Sequence, residues 1–334
     1  MPNLNAKNRL TKPFVQDSKL IFTLPLGGKI RQGLLVLSGQ IVLASGTANG
    51  TVNGEGGPVN LISRVIVNAT PASGSRYPGG KIVDATPRSL LRFAAMQHNG
   101  KFIGEQSGST LGGGANGTYT IYLGIPIYFA DSTLRNPIQT ALNTDPGTYA
   151  SVQVEVDTAD ITACFTGNNA TVTYSGLTLQ WVDDRVALSG DTLVRYQEDH
   201  LALIAATQKR MLDEAMPQDG SFESWTILAQ QSAAATLADT LLNRVTISGP
   251  TLDYDKYGQD IRQDMLDNEW IDPSQTAAGM YHLDFTDGTV SNTVPAGGLQ
   301  TQLDVNNVSG ANLDNLLVFT RRVFSPIPPS SNGK

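Results

Sequence analysis

An eight-residue run that returns once constrains this chain more than any other feature. Leu61-Ile62-Ser63-Arg64-Val65-Ile66-Val67-Asn68 and Leu241-Leu242-Asn243-Arg244-Val245-Thr246-Ile247-Ser248 carry Leu, Arg and Val at matching places, 180 positions apart (244 − 64). Each run follows a hydrophobic segment. Each is succeeded by a turn-rich stretch, an amphipathic helix and a further strand. A shared order of elements makes internal duplication the first hypothesis. The length of 334 residues agrees with two domains, and 40% hydrophobic residues can fill two cores.

Read in order, residues 1–18 are polar and lack a hydrophobic period, so they read as an arm carrying Lys7, Arg9 and Lys12. Strands are expected at 20–24, 30–44 (with Gly39 as a bulge), 59–69, 118–129, 151–158, 160–165 and 170–182. Asn49-Gly50 and Asn53-Gly54 mark a turn region, and 105–117 a glycine-rich loop. A helix is expected from Asp84 to Met96, with Thr86 as cap and Pro87 at the first helical position. In the second half, strands are expected at 192–206, 225–228, 233–248, 280–285, 299–305 and 316–324. A helical turn is expected at 209–216 and a helix at 257–270. The strand at 151–158 and the one at 299–306 alternate apolar and polar residues, as half-buried strands do. Aligned by order, strand 61–68 matches 241–248, helix 85–97 matches 257–270, and strand 119–129 matches 280–285. The fold class that follows is all-β: two tandem eight-stranded jelly rolls, each with a short helix insertion. The divisions are an arm at 1–18, a first roll at 19–186, a second at 187–327 and a tail at 328–334.

Chemistry is sparse. Charged residues make up 16% and the net charge is −7, which argues against a general nucleic-acid binder. Cys164 is the sole cysteine, so no internal disulfide can form; among Ile161, Ala163 and Phe165 it reads as a small core residue rather than a nucleophile. The N-terminal residues contain no apolar stretch of secretory type, and no apolar run reaches membrane-spanning length. His98, His200 and His282 show no metal spacing, and His282 is expected on a solvent-facing sheet surface. Gly112-Gly113-Gly114 lacks the Lys-Ser/Thr of a phosphate loop. Asp253-Tyr254-Asp255-Lys256-Tyr257-Gly258 fails the calcium-loop pattern at its fifth and twelfth positions and reads as a turn before a helix. Trp181, Trp225 and Trp270 are too scattered for a sugar-binding platform. No catalytic, cofactor or metal residues are assigned, and the chain is expected to be no enzyme.

The Leu-x-x-Arg-Val strand, helix and further strand in two copies resemble the double jelly-roll major capsid proteins of tailless icosahedral viruses with an internal membrane, the corticoviruses and tectiviruses, and more distantly adenovirus hexon. Gly57-Pro58-Val59-Asn60 leading into Leu61-Ile62, and the run Gly279 to Gly288, carry the resemblance, which covers roughly 20–327. It implies upright rolls and homotrimers of pseudo-hexagonal outline that tile a shell in the virion, after assembly in the host cytoplasm. Implied partners are neighbouring trimers, penton and minor capsid proteins, and the inner membrane through the arm; loops 45–57, 70–82 and 105–117 are candidates for outer towers. Arg64 and Arg244 are expected to occupy equivalent places and to pair with carboxylates. Two rival readings are a receptor-binding or lectin-like sandwich and a glycoside-active enzyme.

Overall fold

The structure is a computed structural model that describes residues 6–44, 51–52, 57–96, 117–130, 137–166, 171–186, 190–204, 207–211, 216–231, 236–268, 270, 278–286, 293–306 and 314–326. The Asn-Gly turns at 49–50 and 53–54, His98, residues 105–116 of the glycine-rich loop, the Asp287-Gly288 turn and the 328–334 tail lie outside the described residues.

Among the described residues, apart from a few two-residue bridges, sixteen strands fall into two sets of eight. The first set is β1 (Ala6–Pro13), β2 (Lys19–Thr23), β3 (Lys29–Ala44), β4 (Ile62–Pro71), β5 (Gly80–Ala85), β6 (Gly117–Tyr128), β7 (Tyr149–Thr158) and β8 (Thr171–Val186), with helix α1 (Pro87–Met96) between β5 and β6. The second is β9 (Val194–Ile204), β10 (Gln208–Met211), β11 (Ser221–Gln231), β12 (Leu242–Ser248), β13 (Asp253–Tyr257), β14 (Met280–Asp284), β15 (Gln300–Val305) and β16 (Asp314–Phe324), with helix α2 (Gly258–Asp267) between β13 and β14. The sheets of the first set run β1-β8-β3-β6 and β2-β7-β4-β5. Those of the second run β9-β16-β11-β14 and β10-β15-β12-β13. Adding eight to each label of the first set reproduces the second. Each set is thus a jelly roll, and the duplication extends to every strand.

Local sequence explains most strands. In β7, Val152, Val154 and Val156 are fully buried while Gln153, Glu155 and Asp157 line the other face. In β15, Thr301, Leu303 and Val305 do the same. The first core joins both sheets of its roll: Leu35, Leu37, Ile121 and Ile125 meet Phe22, Val65, Val67 and Val154. Two glycines are fixed by backbone needs. A Cβ on Gly33 would lie 2.0 Å from the Trp181 ring. Gly39 has φ +148° opposite a bulge of β8 between Ser175 and Thr178, where a Cβ would sit 2.5 Å from Leu177 Cα. Helix α1 starts as its sequence suggests, with Ser89 N–H donating to Thr86 Oγ1 at 3.3 Å and Pro87 in its first turn.

Several expectations need correction. Residues 6–13 are no free arm: they pair along their length with β8 as strand β1, from Ala6↔Arg185 to Pro13↔Thr178, and Phe14 is buried. An edge strand needs only one paired side, so its many polar residues hid it. Residues 161–164 form a 3-10 turn capped by Asp160, not a strand. Residues 208–211 form β10 rather than a helical turn, because they close the edge of the second roll against β15. Strand β5 takes in Asp84 and Ala85, which were expected to begin the helix; the strand is short and runs into the signals of α1. Strand β6 alternates at its start, with Tyr122 exposed, and becomes buried on both faces only at 125–127. Asp253 and Asp255 belong to β13, paired with β12, rather than to a turn.

Replacing Gly39 by Ala is expected to lower stability by at least about 1 kcal/mol, since an L side chain is disfavoured at this φ and meets backbone. Thermal unfolding followed by circular dichroism checks it. An unchanged midpoint would contradict the assigned bulge.

Candidate functional site

The repeated arginines anchor equivalent charge ladders. Past a bulge, Arg64 stands opposite Asp157 on β7, and past a bulge at the same place Arg244 stands opposite Asp304 on β15. Lys19 on β2 faces Asp157, and Lys209 on β10 faces Asp304. On the other flank, Asp84 on β5 lies opposite Ile66 and Asp255 on β13 opposite Thr246, two positions along from each arginine. Arg64 pairs with Asp84, and Arg244 Nε donates to Asp255 Oδ1 at 2.5 Å. Each aspartate stands three positions before its helix (87 − 84 and 258 − 255). Burial pushes the Asp84 carboxyl up, but bonds from Arg64 and Lys81 outweigh it and hold it below its ordinary range. The hydrogen bond from Arg244 holds Asp255 down as well. These are structural pairs on the sheet surface, far in sequence from the basic residues of β1. Of those, Arg9 is exposed and Lys12 Nζ lies 6.0 Å from the Phe22 ring centroid. Lys7 is opposite Asp184 in the β1–β8 register.

The most elaborate polar site lies where the two rolls meet. Strand β5 adds to β9 in parallel, Gln197↔Val83 and Glu198↔Asp84, so one sheet runs across both rolls. Strand β11 is buried from Phe222 to Ala229 on both faces. Its inner face, with Trp225 and Ile227, fills the second core. Its outer face carries Leu228, which belongs with Phe319 to the core shared with the first roll. Phe93 of α1 packs on Phe319 at 5.8 Å and lies 4.2 Å from the Arg321 guanidinium. Arg195 and Glu223 form a fully buried bidentate pair at 2.5 and 2.7 Å. Arg195 Nη1 also donates to Phe129 O at 2.7 Å, and Gln197 Nε2 to Tyr128 O at 3.1 Å, both in the first roll. Asp199 accepts from Thr86 N–H at 2.5 Å and so caps α1 from the other roll. Burial lifts its carboxyl to about 6, against the pull of bonds from Thr86 and Ser89.

Sequence reasoning missed this seam. Its partners are far apart in the chain, and one signal was available: Glu223 inside the run Phe222 to Ala229, a charge where a buried strand has none to spare. His282 is also corrected. It is 7% exposed, its Nδ1 is 3.0 Å from Thr226 Oγ1, and its ring lies against Phe93 and Trp270, because the first roll covers what would be a solvent face. Trp181 and Trp225 are buried. The Cys164 thiol is buried and pushed up to about 12, which makes it a poor nucleophile. Among the described residues, no group of three or more His, Cys, Asp and Glu is placed to hold a metal ion. None of their helices is long and apolar enough to cross a membrane. A groove of about 440 Å³ runs along the seam between Ile62, Arg64, Arg88, Asp199, Leu201 and Leu317.

No family model matches the sequence, and no curated protein matches it. Solved structures do match in fold. The STIV MCP shares 11% identity and a TM-score of 0.69, with 99% of each chain covered. Major capsid protein P2 from bacteriophage PM2 shares 12% identity and a TM-score of 0.59 over 98% of this chain and 100% of that one. The Faustovirus major capsid protein shares 10% identity and a TM-score of 0.56 over 97% of this chain and 91% of that one. The chain therefore has the double jelly-roll fold over nearly its full length.

The seam generates two predictions. Glu223→Ala should cost about 3–5 kcal/mol by stranding a buried guanidinium, whereas Arg195→Met with Glu223→Leu should recover most of that loss. Denaturant unfolding of the two variants measures both. For Asp199, the folded value near 6 exceeds the unfolded value near 3.9, so the folded state keeps a proton that the unfolded state has released between about pH 4 and 6. The stability of the wild type relative to Asp199→Asn should then fall as pH rises through that window, by of order 2 kcal/mol, and a pH-independent difference would contradict it.

Proposed function

We propose that the chain is the major capsid subunit of an icosahedral virus: three copies form a trimer of pseudo-hexagonal outline, and trimers tile a shell around an internal membrane. The observation that carries this reading is the strand-by-strand duplication, in which every element of one roll has a counterpart eight labels later. Two similar rolls per chain let a threefold assembly present six similar units, so one protein can pack as a hexagon. The fold shared with the STIV MCP and with major capsid protein P2 from bacteriophage PM2 supports it. So does the character of the paired polar groups within the chain, which brace sheets and the seam rather than line a reactive cleft.

In this reading the protein works through shape and acts as no enzyme. Its partners are copies of itself, penton and minor capsid proteins at the vertices, and the inner membrane below. It resides in the virion after assembly in the host cytoplasm. Because Lys7, Arg9 and Lys12 lie on an edge strand, a neighbouring subunit is their natural partner.

Size-exclusion chromatography with light scattering tests the reading. The expected species is a trimer of three times 35.6 kDa that forms shells or hexagonal arrays under the electron microscope. A monomer that forms no array under any assembly condition would overturn it.

A further inference from the structure

Beyond the buried pair the seam opens. Strand β5 runs beside β9 only at Gln197 and Glu198, and the chain then turns at Thr86 into α1. Among the described residues, β9 from His200 to Ile204 therefore pairs on one side alone, with β16. Ala202 and Ile204 belong to the second core. Asp199, Leu201 and Leu203 share the opposite face by alternation. There Leu201 is 58% exposed and Leu203 47%. The open-edged strands β1, β2 and β13 carry Lys, Arg or Asp, the usual guard against a further strand, whereas Leu201 to Ile204 carry no charge.

The groove of about 440 Å³ lies along this edge, with Ile62 and Pro87 of roll 1 and Leu201 and Leu317 of roll 2 among its apolar walls. Asp199 lines it too. Its Oδ2 takes the Thr86 N–H, while its Oδ1 is buried and has no hydrogen-bond partner among the described residues. The charges nearby are engaged elsewhere or turned away. Arg64 of β4 is held by Asp84 of β5, which also holds Lys81, and Arg88 of α1 lines the groove without bonding Oδ1. Glu198 and His200, the neighbours of Asp199 on β9, meet Arg322 and Thr320 on the other face. Strands β16 and β11 bring only the uncharged polar groups of Asn315 and Gln230.

We infer that this edge and groove bind an extended segment of a partner protein, which adds to β9 beside residues 200–204 and sets a lysine side chain in the groove with its ammonium on Asp199 Oδ1. The segment's backbone would take up the open N–H and C=O groups of the edge, as in other strand additions. The four-carbon stem of lysine suits the apolar walls, and its ammonium supplies the donor that Oδ1 lacks. With Oδ2 already taken, a single ammonium fits better than the two-pronged guanidinium of arginine. The site lies within one chain, so the inference goes beyond the capsid reading and does not depend on it.

Hydrogen exchange and calorimetry on the full chain test it. Two acetylated and amidated peptides, Lys-Thr-Val-Thr-Val and Val-Thr-Val-Thr-Lys, offer the two strand directions. One of them should protect the amides of residues 200–204. Replacing its lysine by norleucine, which keeps the stem and removes the amine, should weaken binding at least about 10-fold, as should Asp199→Asn. Leu201→Glu with Leu203→Glu, at exposed positions, should do the same without disturbing the fold, and circular dichroism melting checks each variant. Because the ammonium needs an ionised partner, affinity for the wild type should rise about 10-fold from pH 5 to pH 7 and stay flat for Asp199→Asn. Neither peptide binding, equal binding of the norleucine form, or affinity that falls with pH would overturn the inference. So would n-butylamine binding as tightly as the peptides, which would assign the groove to free amines. Amides of 200–204 already protected without peptide would show the edge filled by the chain itself or by another copy, and would overturn it as well.

Discussion

The seam between the rolls rests on burying charge at a place where two β-sandwiches must stay in fixed orientation. Taking the Arg195 and Glu223 charges out of water costs several kcal/mol per ion; the bidentate geometry within the second roll and the added bond to Phe129 O of the first roll offset that cost. An apolar seam could slide. This one makes its polar contacts in one register, with Gln197 on Tyr128 O and Asp199 on the first turn of α1. Phe93 inserted against Phe319 adds non-directional burial, and the polar contacts add the direction. The relative setting of the rolls, and thus the outline a chain offers its neighbours, depends on this arrangement.

The same logic explains why the duplicated charges persist while much of the sequence between them differs. Arg64 and Arg244 sit past equivalent bulges, between two aspartates each, on the third strand of a four-stranded sheet. They tie strands whose separation along the chain varies: Asp84 follows Arg64 by 20 positions and Asp255 follows Arg244 by 11. Loops have changed length while register has not, as expected when the sheet and not the connection determines the fold. The helices show the opposite case. Equivalent in position, α1 is apolar where the second roll covers it and α2 is polar and acidic.

How much of this was legible in sequence follows from where each signal resides. Alternation within one strand is local, so β7 and β15 could be read directly, as could the cap of α1 at Thr86 and Pro87. The repeat of Arg64 and Arg244 was visible, but their aspartates were not, because the partner lies on another strand at unequal spacing. Strand β1 reads as an arm because an edge strand pairs on one side only, and Asp253 to Gly258 reads as a turn because an edge strand that alternates Asp with aromatic residues lacks an apolar period. His282 was beyond reach, since its burial comes from the other roll, while Glu223 left one trace, a charge inside an apolar run. Local pattern reports one face of one element; it carries no information on what a second domain covers.

The setting of the two rolls around the buried Arg195–Glu223 pair is tested by an experimental structure of the purified chain. Arg195 and Glu223 should be paired out of solvent, with β5 alongside β9 and Asp199 on the first turn of α1. Rolls joined along other strands, or either charge lying in water, would contradict this seam.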